Sequence, residues 1–344
     1  PAWKDSRPLV NYIFERTIMW TILGKINKNL IIAIPIAMVL GFLYGISFET
    51  SFLKNMIIPF TFFMVYPMMI NLKIKKVFEG GDTKAQLLTQ GINFGIIPFI
   101  AFGLGIIFFK QSPYMALGLL LAGLLPTSGM TISWTGFAKG NIEAAIKMTI
   151  IGLILGSLAT PFYIKILMGA ELDVNIFAIM KQIGLIVFLP MVAGVLTKKV
   201  LIKKLGEMGF QKKWGPRFPG MAIVGVLGIV FVAIALKASA IAESPKMLLY
   251  IMIPLLIMYF LNFVLATLVG RAFLPKGDAI AVVYGSVMRN LSIALAIAIN
   301  AFGSEGSSAA LVIAIAYIIQ VQSAAWYVNF TDRLFYRSTI PISG

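Results

Sequence analysis

The sequence contains no cysteine and no histidine, and only 12% of its 344 residues are charged. The missing cysteine excludes disulfides, thiolate metal sites and cysteine nucleophiles, and the missing histidine excludes histidine zinc sites, general bases and pH switches. Soluble domains average about 25% charged residues, so this chain has half of what a water-facing surface carries. With 59% hydrophobic residues in continuous runs rather than short alternating segments, we predict an all-α polytopic membrane protein and not a porin-like barrel.

Ten hydrophobic segments, separated by turn signals, are each long enough to cross a bilayer. We number them as spans 1–10; they cover roughly 29–46, 52–70, 87–109, 114–136, 142–168, 176–197, 221–241, 247–270, 279–301 and 307–330. Residues 1–28 are mixed and amphipathic and carry no cleavage pattern, so we expect a cytoplasmic interfacial segment there.

The basic residues predict the orientation of these spans. Of the 29 lysines and arginines, 21 lie on the side of the two termini and six on the other side. The positive-inside rule then places both termini in the cytoplasm, with the chain integral to the plasma (inner) membrane. The net charge of +16 is therefore a topology signal, and no nucleic-acid partner is expected. The basic segment Lys198–Arg217 is interpreted as a positive-inside loop, with contact to anionic lipids as the alternative.

Arg289 is the one basic residue that this scheme leaves near the bilayer midplane. The other unassigned lysine, Lys147, lies just inside the start of span 5 and can snorkel. All 13 acidic residues fall in loops, tails or span ends, so Arg289 has no carboxylate at its depth. A central arginine is costly in a membrane and marks a functional site. Backbone carbonyls of broken helices could hold it, or it could bind an anionic substrate.

Two polar, breakable stretches occur in the middle of spans 4 and 9. Leu125–Thr135 combines Pro126 and Gly129 with clustered hydroxyls, and Gly285–Ser292 contains Arg289. Faint similarity between residues 29–168 and 176–330 predicts two inverted repeats of five spans. Helix breaks at corresponding positions of two such repeats point to a transport site at the bilayer midplane. The predicted substrate-binding residues are Arg289, Asn290, Ser292, Thr127, Ser128, Thr131 and Ser133. Hydroxyls that bond their own helix are the alternative. The intramembrane amides are interpreted as interhelical contacts, with Gln320 and Gln322 as possible walls of the site.

Several further stretches carry a family resemblance: Met64–Lys73, Leu189–Thr197 and Ile293–Gly303, together with Ala138–Asn141 and Met288–Asn290. With them the chain resembles the bile/arsenite/riboflavin transporter superfamily from about residue 29 to 330. It is most similar to the arsenite efflux permease family and next to the sodium–bile acid symporter family. The resemblance implies that a core domain of spans 3–5 and 8–10 moves against a panel domain of spans 1–2 and 6–7, with broken spans 4 and 9 crossing at the site.

The departures from these relatives concern the coupling groups. Thr127 stands where the arsenite branch has a cysteine, and Ser292 stands where it has a glutamate. Against the sodium branch, Gly285 replaces a glutamate, Arg289 a glutamine and Ile132 an asparagine. A hydroxyl does not supply the affinity of a thiolate for trivalent arsenic. An arginine placed where sodium would bind repels that ion, so we expect Arg289 to replace the coupling cation.

The sequence therefore predicts a secondary transporter of a small anionic solute, an oxyanion or an organic carboxylate, without a conventional sodium site, resident metal or cofactor. Uniport-like efflux and anion exchange both remain open. One alternative is an arsenite or antimonite efflux permease that lacks the usual cysteine. The other is a membrane receptor or scaffold that does not transport. Enzyme chemistry is not expected, because the midplane contains no acid pair, histidine or cysteine.

Overall fold

The computed structural model describes residues 19–26, 29–71, 81–170, 172, 175–243, 245–303 and 305–335. These residues are almost all helical and form no β-strand, only an isolated antiparallel bridge between Pro126 and Arg289. Seven helices are long and apolar enough to cross a membrane, as expected for a polytopic helical protein. The predicted interfacial segment lies largely outside the described residues, although residues 19–26 are helical.

Between residues 30 and 168, the described part of the chain forms seven α-helices, with a 3₁₀ turn at Ser51–Met56 before the second. They are α1 (Leu30–Ser47), α2 (Ile57–Ile70), α3 (Thr83–Gly95), α4 (Ile97–Phe109), α5 (Pro113–Leu124), α6 (Gly129–Phe137) and α7 (Ile142–Met168). From residue 175 to 335 the described residues form nine: α8 (Ile176–Ile183), α9 (Leu189–Gly209), α10 (Arg217–Ala235), α11 (Ala238–Glu243), α12 (Lys246–Phe273), α13 (Lys276–Val287), α14 (Leu291–Phe302), α15 (Gly306–Val328) and α16 (Thr331–Leu334).

Some predicted spans are built from more than one helix. Span 4 consists of α5 and α6, and span 9 consists of α13 and α14. For this reason Pro113–Leu124 and Leu291–Phe302 count only as short apolar helices, beside the seven long ones. The count of ten spans, the inverted repeats 29–168 and 176–330, and the division into core and panel stay predictions.

The basic segment Lys198–Arg217 is not the loop that the sequence suggested. Helix α9 continues to Gly209 and leads into a π-helical turn at Phe210–Trp214. Lysine and leucine favour helices, so the basic residues extend the span instead of ending it. Only Gly206, at φ 71°, departs from helical geometry within α9.

Small residues let the helix backbones approach closely, which is the common way for helices to pack in a membrane. A Cβ on Gly118 of α5 would lie 2.6 Å from the carbonyl oxygen of Ala309 in α15. Likewise, a Cβ on Gly225 of α10 would lie 2.5 Å from the carbonyl oxygen of Phe60 in α2. Helices α13, α14 and α15 are buried along most of their lengths and form the centre of the molecule.

Lys147 does not snorkel as the sequence suggested. Its side chain is 5% exposed, and Nζ pairs with Oδ2 of Asp82 at 3.1 Å. Asn141, the N-cap of α7, donates from Nδ2 to Oδ1 of Asp82 at 2.9 Å and to Oδ1 of Asp278 at 2.7 Å. These contacts join the starts of α3, α7 and α13, and a buried lysine with a carboxylate partner has no need to reach the headgroups.

Candidate functional site

The two polar stretches interrupt their helices and pair with each other. Helix α5 ends at Leu124 and α6 begins at Gly129, while α13 ends at Val287 and α14 begins at Leu291. Pro126 contributes to the first break because it has no backbone N–H to donate. The backbone N–H of Asn290 donates to the carbonyl oxygen of Leu125 at 2.7 Å, next to the bridge between Pro126 and Arg289. The extended segments of the two breaks therefore cross in the buried centre.

Thr127 holds the first break in its unusual shape. Its φ is 64°, in the left-handed region that side chains with a branched Cβ rarely adopt. The hydroxyl Oγ1 compensates because its one hydrogen has two carbonyl acceptors within reach, that of Pro126 at 2.6 Å and that of Thr149 at 3.1 Å. Helix α7 leaves room for this turn with Gly152, whose Cβ, if present, would lie 2.7 Å from Thr127 Oγ1.

Both helices that follow the breaks are capped by predicted site residues. Ser128 Oγ accepts from the N–H of Met130, and Thr131 Oγ1 accepts from the N–H of Ser128, which completes a capping box on α6. Asn290 Oδ1 accepts from the N–H of Ile293 at the start of α14. The two helix N-termini, each with the positive end of its dipole, lie on either side of the crossing.

Amide side chains from three other helices satisfy the second break. Asn93 of α3 donates to the carbonyl oxygen of Gly285 at 3.0 Å, and Asn262 of α12 donates to that of Ser286 at 2.9 Å. Gln320 of α15 binds both backbone groups of Arg289: Oε1 accepts from its N–H at 2.7 Å, and Nε2 donates to its carbonyl at 3.2 Å. These contacts replace the helical hydrogen bonds that the break removes, as buried backbone groups require.

The backbone of Arg289 is hydrogen-bonded by Gln320, but its guanidinium is not hydrogen-bonded by any described residue. The residue is 0% exposed, yet Nε, Nη1 and Nη2 have no hydrogen-bond partner among the described residues. Backbone carbonyls therefore do not hold the guanidinium, although the sequence left that possibility open. A buried charge without a partner costs free energy unless a ligand supplies the missing hydrogen bonds and counter-charge.

Arg289 lies in the wall of a cavity of about 360 Å³. One face of the cavity comes from α6, α7, α14 and α15, and the opposite face comes from α2 and α10. Most of the wall is apolar, for example Met68, Met130, Ile150 and Ile223. The polar groups include Ser128, Ser133, Thr149, Asn290, Ser292 and Tyr317, together with Arg289 itself. A mostly apolar cavity with a few polar groups is typical of a small-molecule site.

The structure brings five of the seven predicted site residues to this cavity: Arg289, Asn290, Ser292, Ser128 and Ser133. Thr127 and Thr131 do not line it, because their hydroxyls bond backbone atoms within the break. Tyr317 lines the cavity and its hydroxyl lies 2.5 Å from Ser292 Oγ, but nothing in the sequence distinguishes it from a packing residue. Gln320, which the sequence singles out as an intramembrane amide, does not line the cavity and binds the backbone of the second break instead.

Replacement of Gln320 by methionine is expected to lower the stability of the folded protein by about 2 kcal/mol, since both backbone groups of Arg289 lose their buried partners. The check is the apparent melting temperature of the purified protein in detergent. Gln322→Met is the matched control, because Gln322 lies on the same helix and is partly exposed. Equal losses in both variants would show that Gln320 has no special role at the break.

The sequence of this chain is similar to those of several known proteins. Over 285 residues the chain is 26% identical to the arsenical-resistance protein Acr3 of Alkaliphilus metalliredigens, covering 78% of this chain and 79% of that protein. It is 22% identical to Acr3 of Corynebacterium glutamicum, over 72% of this chain and 70% of the relative. An uncharacterized transporter of Synechocystis, slr0944, is 24% identical over 87% and 86% of the two chains.

The profile of the Sodium Bile acid symporter family matches residues 58–244, more than half of the chain. Proteins of this family and the relatives above are transporters and not enzymes, and the long apolar helices agree with a place in the membrane. The chain therefore belongs to the Sodium Bile acid symporter family and is an integral membrane secondary transporter of a small solute, of the bile acid/arsenite permease type.

Proposed function

We propose that the solute is an organic anion with one negative charge, and that its charged group binds Arg289. The observation that carries this proposal is that Arg289 lines the cavity while its buried guanidinium has no hydrogen-bond partner among the described residues. A guanidinium offers five N–H donors in a planar fork that matches a carboxylate or sulfonate. Ser128, Ser133, Asn290, Ser292 and Tyr317 add hydrogen bonds from the same wall.

The apolar part of the cavity favours an organic anion over an inorganic oxyanion. Methionine, isoleucine, leucine, valine and proline side chains make up most of the wall. An inorganic oxyanion would contact only the polar groups, whereas an organic body would also bury its apolar surface, at about 25 cal/mol per Å². Of the two solute classes that the sequence left open, the cavity thus supports the organic carboxylate and its sulfonate analogues.

We also propose that binding needs no sodium. The resemblance implies that Arg289 replaces a residue at the sodium position of the symporter branch, and its fixed positive charge repels a second cation there. Thr127 and Thr131 shape the break in this account and do not contact the solute. The cavity lies between the helices of the predicted core and panel and extends to Asn71 and Pro219, at the ends of α2 and α10 that the charge pattern predicts to be cytoplasmic.

Ligand-dependent thermal stabilisation of the purified protein tests the proposal. Benzenesulfonate is the main probe, with benzoate beside it, because both combine an apolar body with one fixed charge. At about 100 times its Kd a ligand stabilises the folded state by about 2.7 kcal/mol, so a clear rise in melting temperature is expected. Neutral benzenesulfonamide, sodium and arsenite should leave it unchanged. Stabilisation by arsenite or sodium, without any by the organic anions, would overturn the proposal.

Arsenite efflux is the second candidate, because two relatives are named arsenical-resistance proteins. The structure offers it little support, since the hydroxyl of Thr127, at the position of the arsenite branch's cysteine, bonds backbone carbonyls. Expression in an arsenite-sensitive cell decides between the two. Resistance that persists in Arg289→Ala would favour arsenite efflux, because the neutral form of arsenite gains nothing from a guanidinium.

A further inference from the structure

We infer that this transporter exchanges one anion for another and that the empty carrier does not return across the membrane. The inference rests on the proposed function, because it uses the binding of the anion to Arg289. The sequence left uniport-like efflux and exchange open. The surroundings of Arg289 in the structure decide between them.

Among the described residues, no acid pairs with Arg289 or lines its cavity. The groups that share the cavity with Arg289 are neutral, among them Asn290, Ser292 and Tyr317. The acids on the described helices α3, α7 and α13 are Asp82, Glu143 and Asp278, and all three lie at the helix starts. Asp82 and Asp278 bind Asn141, Asp82 also pairs with Lys147, and Glu143 is exposed. None of the three lines the cavity.

The positive charge of Arg289 affects the free energy of the state in which the site is closed to both sides of the membrane. Any carrier that works by alternating access passes through such an occluded state, in which the site is cut off from bulk water. With a bound monoanion the occluded site is neutral overall, so this step costs little. Without the anion the same step would enclose an unpaired guanidinium in a medium of low dielectric constant. We expect the empty carrier to reorient at least about 100-fold more slowly than the loaded one.

The described wall of the cavity also contains no acid that could neutralise an empty site. A carboxylate there could pair with the arginine or take up a proton, but residue 292 is a serine that hydrogen-bonds Tyr317. Residue 285 is a glycine that is packed against Met148 and Thr89. The bound anion is thus the counter-ion that permits the conformational change, which makes exchange obligatory and, for monoanions, electroneutral.

Proteoliposomes that contain the wild-type protein test this inference. Uptake of radiolabelled benzenesulfonate is measured with unlabelled benzenesulfonate inside, and efflux from loaded vesicles is measured into medium without it. Valinomycin and potassium clamp the membrane potential in both assays. We expect exchange to be at least about 100-fold faster than net efflux, and to be insensitive to the clamped potential. A sulfonate is the right probe because it stays ionised and does not leak through the bilayer as a neutral acid.

The variant Ser292→Glu adds the missing counter-charge. Its carboxylate enters the wall of the same cavity, three residues from Arg289 and at the N-terminus of α14, where a negative charge is favourable. Both Ser292→Glu and its uncharged control Ser292→Gln should bind the anion more weakly than wild type. Only Ser292→Glu should raise net efflux relative to exchange, by about tenfold or more.

The outcomes separate the inference from the proposed function. The inference would be supported if wild type exchanges anions without net efflux and if net efflux appears in Ser292→Glu but not in Ser292→Gln. Equal rates of exchange and net efflux in wild type would overturn it and leave anion transport standing. If the ratio of net efflux to exchange is the same in Ser292→Glu and Ser292→Gln, the missing counter-charge is not the reason for the slow net efflux. No flux of benzenesulfonate or benzoate in either assay would overturn the proposed function itself.

Discussion

Replacement of Arg289 by alanine is expected to abolish benzenesulfonate uptake into proteoliposomes. The substitution removes the only cation in the cavity wall among the described residues, while Gln320 still binds the backbone of residue 289. Loss of one partner from a desolvated ion pair costs about 2–5 kcal/mol, or about 30- to 5,000-fold in affinity. Initial uptake rates over a range of concentrations measure the loss.

Arg289→Lys is the control for this variant. Lysine keeps the positive charge but loses the planar fork, so we expect partial activity with a higher half-saturating concentration. The melting temperature of Arg289→Ala should not fall, because the guanidinium has no hydrogen bond to the described part of the chain that could be lost. Wild-type uptake by correctly folded Arg289→Ala would show that Arg289 does not bind the solute.

Replacement of Gly152 by valine is expected to reduce transport to below about a tenth of the wild-type rate, although Gly152 lies outside the cavity wall. A Cβ on Gly152 would lie 2.7 Å from Oγ1 and 3.3 Å from Cγ2 of Thr127. Thr127 cannot easily move, since its hydroxyl lies between the carbonyl oxygens of Pro126 and Thr149 and its backbone is already in the left-handed region. Overpacking of this kind costs about 1–3 kcal/mol and would displace the crossing segments.

Gly103→Val is the matched control for Gly152→Val. Gly103 lies within helix α4, and a Cβ there would have no atom within 4 Å. Both variants have the same helix-propensity change, so transport should survive in Gly103→Val and fail in Gly152→Val. Parallel loss of transport, measured at equal amounts of folded protein, would mean that the effect is not due to contact with Thr127.

The helical membrane class and the polar centre could be predicted from sequence because each depends on strong local signals. Long apolar runs require helices in lipid, and Pro126 removes a backbone donor where span 4 is interrupted. Arg289 was identified because a central arginine without an acid partner is rare. None of these arguments needs knowledge of which helices are neighbours.

The other features depend on tertiary contacts that one sequence does not reveal. Thr127 and Thr131 look like site hydroxyls until their backbone partners are known. Tyr317 reaches the cavity only because α15 packs beside the second break. Lys147 is buried because Asp82, 65 residues earlier, lies at the start of a neighbouring helix. Lys198–Arg217 was predicted as a loop from charge alone, although its lysines also favour helix.

The central claim is that the charge of the solute and the charge of Arg289 interact directly. The most direct measurement is a double cycle of binding affinities, in which benzenesulfonate and benzenesulfonamide are titrated against wild type and Arg289→Gln. We predict that wild type prefers the sulfonate by about 100-fold or more and that this preference disappears in the variant, which gives a coupling energy of about 3 kcal/mol. A preference for the sulfonate that is the same in both proteins would contradict the account.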